Sequence, residues 1–81
     1  MKAQKKNAFP PGYYIREYIE YEGTSVNEFS EQIGLPSCDV ISLLWGDKKV
    51  TQHIAERLEK RTGISAGTWL NLQRAYDEAA S

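Results

Sequence analysis

Gly34 stands between two short stretches of helical pattern, and this restricts the chain more than any other feature. Ser25 suits the cap of a first helix carrying Phe29 and Ile33 four residues apart. Gly34 then permits a sharp turn, and Leu35-Pro36-Ser37 opens a second helix running through Val40, Leu43 and Leu44 to Gly46. At roughly 100° per residue, Val40, Leu43 and Leu44 share one side of that helix and must face a core. Cys38, Ile41, Ser42 and Trp45 share the opposite side, as one stripe at spacings of three, four and seven.

Three more helices flank this pair. Pro10-Pro11-Gly12 stops any earlier structure and opens a helix with Tyr14, Ile15, Tyr18 and Ile19 on one face, closed by Gly23. Thr51 caps a fourth helix, with Ile54, Ala55 and Leu58 inward and Glu56, Arg57, Glu59 and Lys60 outward, ended by Gly63. Ser65 or Thr68 caps a fifth that carries Trp69, Leu70, Leu72 and Tyr76. No stretch alternates with period two, so the predicted fold is all-α, five helices, without repeats or an internal linker. Residues 1–9, with Lys2, Lys5 and Lys6 and no periodicity, read as a flexible arm ahead of a single domain over 10–81.

Composition narrows the function classes. Eighty-one residues make one small domain. No apolar run is long enough for a membrane span, and no signal-peptide core follows Met1. Cys38 is the only cysteine, which excludes an internal disulfide and points to a reducing cytoplasm. His53 has no second metal ligand at helical spacing, and Cys38 has no partner base nearby in sequence. Glu17 with Glu20, and Glu28 with Glu31, read as solvated helix faces. Without a glycine-rich phosphate loop either, no catalytic, metal or cofactor site is expected. The chain does not read as an enzyme.

Two short helices joined by a glycine turn form a helix-turn-helix, the scaffold that sets its second helix into a DNA major groove. A net charge of −1 withholds the bulk electrostatic sign of a nucleic-acid binder. Lys48 and Lys49 supply local basic character, either as a phosphate clamp or as a plain solvated loop. The three arm lysines likewise suit a DNA backbone or an ordinary tail. On the outward stripe, Ser37 and Ser42 offer hydrogen bonds to bases and Ile41 an apolar contact to a thymine methyl, but no residue makes a bidentate base contact. Asp39 either opposes phosphate or stabilises its helix through the dipole. Three fates are open to Ile41 and Trp45: folding back over the Asp47–Val50 loop, meeting DNA, or being covered by a protein. In the last helix Trp69 is assigned to the core. Leu72, Gln73 and Tyr76 are assigned to an exposed edge suited to a dimer seam, with no further dimerisation element expected beyond them.

Pro11-Gly12, then Ser25 to Gly34-Leu35-Pro36, then Gly46-Asp-Lys-Lys-Val-Thr51 together resemble the Xre/Cro-type helix-turn-helix, a lambda-repressor-like fold. The tail Thr68-Trp-Leu-Asn-Leu-Gln73 with Tyr76-Asp77 is similar to that of the HigA-type antitoxins, and the match runs without gaps from Pro11 to Ala80. The resemblance implies a bacterial or phage-encoded homodimer that binds a double-stranded operator, represses its own operon and neutralises an mRNA-cleaving toxin. It places Ser25 and the Val26 position, with Lys48 and Lys49, at phosphates, and Ser37, Cys38, Asp39, Ser42 and Trp45 at the groove. The chain departs from the family pattern at four contact positions. Val26 stands where Gln is usual, Asp39 where Arg or Ser is usual, Trp45 where Asn is usual, and Asp47 where Lys is usual. The alternative is a helix-turn-helix that binds a protein through Cys38, Ile41 and Trp45.

Overall fold

Four of the five helices stop at a glycine with positive φ, and these stops divide a chain of continuous helical propensity into short rods. In a computed structural model, which describes residues 9–80, the helices are α1 (Pro11–Glu22), α2 (Val26–Ile33), α3 (Ser37–Trp45), α4 (Gln52–Thr62) and α5 (Ala66–Ala80). No strand occurs among the described residues. The expected arm, with Lys2, Lys5 and Lys6, lies outside the described residues except for Phe9.

Local chemistry sets each start. Pro11 occupies the first turn of α1, where a missing N–H costs nothing. Ser25 and Glu28 form a reciprocal capping box on α2: the Glu28 N–H donates to Ser25 Oγ at 3.0 Å and the Ser25 N–H donates to Glu28 Oε1 at 3.0 Å. Glu28 is therefore more than a solvated carboxylate. Thr51 caps α4. Of the two candidates for α5, Ser65 does the capping, its Oγ accepting from the Thr68 N–H at 3.2 Å.

All five helices and the α3–α4 loop contribute to one core: Ile15, Ile19, Phe29, Ile33, Val40, Leu43, Val50, Ile54, Ala55, Leu58 and Trp69. Trp69 is fully buried, and Val40 and Leu43 face inward as their period predicts, with Leu44 half-buried beside them. Its indole Nε1–H is buried without a partner, so Trp69 contributes through area alone.

At Gly12 the core packs backbone against backbone. A Cβ placed on Gly12 would overlap the Leu43 carbonyl oxygen and lie 2.8 Å from both the Leu43 carbonyl carbon and Leu44 Cα. Only glycine lets the first turn of α1 rest on the last turn of α3. In an unobstructed helix turn, Gly→Ala stabilises by about 0.4–1 kcal/mol. Here the sign is expected to reverse: Gly12→Ala forces two backbones apart, costs about 2–3 kcal/mol and lowers Tm by about 10 °C or more in thermal denaturation. An unchanged or raised Tm would refute the contact.

Candidate nucleic-acid interface

The turn between α2 and α3 is locked from the far side of the motif. Gly34 holds a left-handed φ of 75°, and its open face is filled by the Arg57 guanidinium of α4. Arg57 Nη1 donates to the Ile33 carbonyl oxygen at 2.9 Å, taking up an acceptor that the end of α2 leaves without a helical partner. Its Nε donates to His53 Nε2 at 3.0 Å, which leaves the imidazole proton on Nδ1. A side chain at position 34 would thus be strained twice, by φ and by Arg57.

With α2 fixed, burial of Val40 and Leu43 turns the opposite side of α3 outward. Cys38 and Ile41 are exposed on it, Ile41 at 44%. Trp45 is 75% exposed, so it does not fold back over the following loop. Ser37, Asp39 and Ser42 are half-buried at the margins of the stripe. Asp39 sits in the first turn of α3, where the helix dipole favours a negative charge, and it has no cationic partner among the described residues. Val26 packs partly against the core, leaving its backbone N–H as its polar contribution at the start of α2. Beside it, Ser25 Oγ is occupied as the cap. The Ser25 N–H and then the Thr24 hydroxyl hold the Glu28 carboxyl below its usual range, so this end of α2 keeps a carboxylate next to any approaching anion.

The lysine loop is pinned to the end of α3. The Ser42 carbonyl oxygen accepts from the Asp47 N–H at 2.8 Å and from the Lys48 N–H at 3.2 Å, which keeps Lys48 one turn beyond Trp45. Both Lys48 and Lys49 are exposed. They differ in what they face: Lys49 Nζ lies 3.3 Å from Asp77 Oδ2 of α5.

Gln73 departs from the expected exposed edge. It is buried, and its Oε1 accepts from the buried Val50 N–H at 2.8 Å while its amide donates to Asp77 Oδ1 at 2.9 Å. The signal was available in the sequence, because Gln73 lies four residues after Trp69 and Asp77 four after that, on one helical stripe. Leu72 packs partly on the core and Tyr76 is half-buried. A separate cleft of about 400 Å³ between α2 and α4, lined by Glu31, His53, Glu56, Arg57 and Lys60 among others, includes no residue of α3. Among the described residues no group of His, Cys, Asp and Glu is placed to hold a metal ion, and no helix is long and apolar enough to cross a membrane.

No family model matches the chain. The uncharacterized HTH-type transcriptional regulator YbaQ of Escherichia coli is 32% identical over 76 residues, a span covering 94% of this chain and 67% of YbaQ. An addiction module antidote protein of the HigA family from Coxiella burnetii superimposes with a TM-score of 0.85 at 32% identity, over 89% of this chain and 79% of that one. This chain belongs to the HigA-type helix-turn-helix transcriptional regulators. PA4674 of Pseudomonas aeruginosa, solved in complex with its operator DNA, superimposes with a TM-score of 0.87 over 93% of this chain and 80% of that one. At 22% identity that likeness is one of fold.

Within this HigA-type frame the Gln73–Val50 bond is what holds the lysine loop to α5. Gln73→Met keeps the side-chain volume and removes the acceptor, leaving the Val50 N–H buried and unpaired. The expected loss is about 1–3 kcal/mol by denaturant unfolding. A variant as stable as the parent would place Gln73 at the surface.

Proposed function

We propose that this protein is a DNA-binding transcriptional regulator that binds an operator as a homodimer, with α3 as the recognition helix. The observation that carries the reading is the outward stripe of α3, exposed on a helix-turn-helix whose turn is locked, with Lys48 held one turn beyond it. Phosphates are met by Lys48 and Lys49, and at the start of α2 by the Val26 N–H and the Ser25 hydroxyl proton, against the opposing charge of Glu28. Ser37, Cys38, Ser42 and Trp45 face the groove, with Asp39 at its edge. Leu72 and Tyr76 form the dimer seam on α5, and Gln73 shapes it from within. Its likeness to an addiction module antidote protein supports a toxin as its second partner, and it acts in the cytoplasm without catalytic activity. The 75% exposure of Trp45 supports one rival, a protein partner seated on Ile41 and Trp45.

Charge variants separate the two. Lys48→Ala is expected to weaken binding evenly across DNA sequences and to reduce the slope of log K against log salt by about 1 per protomer. Asp39→Arg replaces a repulsive charge by an attractive one and is expected to raise affinity. Fluorescence anisotropy at several salt concentrations reads both. Folded parent protein at tens of micromolar that shifts no DNA at low salt would defeat the DNA reading and leave the protein-binding one.

Asp77 tunes the same term. Its carboxylate competes with phosphate for Lys49, so Asp77→Asn is expected to tighten DNA binding and steepen the salt dependence. Because the ion pair is solvated, Tm is expected to move little. Weaker binding by Asp77→Asn would show that Lys49 needs Asp77 to orient it.

A further inference from the structure

Base discrimination in a major groove ordinarily rests on side chains that make two parallel hydrogen bonds to one base edge: Arg or Lys on guanine, Asn or Gln on adenine. The segment Ser37–Trp45 contains none of these. Its hydroxyls, Ser37 and Ser42, are half-buried, and a hydroxyl that both donates and accepts pairs with any base. Asp39 is also half-buried and only accepts. The exposed residues of α3 are Cys38, whose thiol is at most a weak donor, and the apolar Ile41 and Trp45. Ile41 lies mid-helix at 44% exposure, and Trp45 lies one turn on at 75%. The one apolar feature that distinguishes a base on the major-groove floor is the C5-methyl group of thymine.

We propose that Ile41, flanked by Trp45, reads thymine C5-methyl groups, so that methyl contacts rather than bidentate hydrogen bonds select the operator. The inference rests on the DNA-binding function proposed above. Ile41 occupies the middle of a nine-residue helix, while Trp45 is its last residue, just before the loop that carries Lys48. With Lys48 on a phosphate, the indole covers the gap between backbone and groove floor and excludes water from the methyl contact. Apolar area that is exposed in the free protein is thereby buried only on a site with thymine at the right step. A site with cytosine there leaves Ile41 near an exocyclic amine, and one with a purine leaves it facing a polar edge, N7 and O6 of guanine or N7 and the N6 amine of adenine.

Deoxyuridine tests this, since it keeps every hydrogen bond of thymine and lacks only the methyl. The full chain is used to select duplexes from a randomised pool of 20 base pairs at low salt. The tightest duplex is then synthesised with thymine and, separately, with deoxyuridine throughout. Affinity for the uracil duplex is expected to fall about fourfold for each contacted methyl, about fifteenfold for a symmetric pair. Ile41→Ala, at an exposed helical position, is expected to keep the parent Tm and to bind both duplexes alike. A change in duplex shape would instead penalise parent and variant equally. Equal parent affinities for the two duplexes would overturn methyl reading and leave DNA binding intact. Discrimination that persists in Ile41→Ala would overturn the assignment to Ile41. If no duplex is selected, the DNA-binding reading falls and this inference with it.

Discussion

Burial of Val40 and Leu43 decides what this molecule shows to its surroundings. α3 is only nine residues long and would be marginal alone in water, so its orientation comes from packing rather than from helix propensity. Its inner stripe is sealed by α2 on one flank and by α1 on the other, where Gly12 lets the two backbones touch. Once that stripe is inside, Ile41 and Trp45 have nowhere to go but out. The apolar character of the outward face is thus not a folding defect that packing failed to cover. It is what remains when a strongly amphipathic frame is applied to a helix that is apolar nearly all round.

The outer helices serve the same frame. Arg57 of α4 reaches the Ile33 carbonyl and stiffens the turn, and Gln73 of α5 takes the Val50 N–H and stiffens the loop that follows α3. Both ends of α3 are therefore held by polar contacts from helices that the motif itself does not include. At the loop end the bond continues through Asp77 to Lys49. Leu72 and Tyr76 lie on the neighbouring stripe of α5, about 100° around the helix from Gln73 and Asp77.

Much of this was legible in the sequence because periodicity reports burial. The inward sides of α1 to α4, the glycine stops and the burial of Trp69 follow from spacing alone. Gln73 was misplaced because an amide reads as surface unless a specific buried donor awaits it, and that donor, Val50, is 23 residues away. Glu28 looked like part of a solvated pair because helical spacing pairs it with Glu31, although Ser25-x-x-Glu28 is itself the sequence signature of a capping box. Gly12 read as a start signal, yet its decisive neighbour is the far end of another helix. For Trp45, angle alone could not choose between folding back and facing out. Its position on the final turn, followed at once by a loop tied to Ser42, leaves no path back to the core.

Charge gives the last constraint on function. Among the described residues Lys48 and Lys49 are the cations in the loop after α3, and Asp77 offsets one of them, while Asp39 and Asp47 add negative charge near the same surface. In the proposed homodimer this loop supplies about four phosphate-directed lysines, a contribution to the salt slope of about −4, well short of strongly basic regulators. Non-specific affinity scales with the same count, so such a protein spends little time on random DNA. Its occupancy of a true site must come from short-range contacts that are lost when the sequence is wrong. An apolar recognition stripe meets that requirement, because burial against a matching surface is insensitive to salt and falls away as soon as the surface changes.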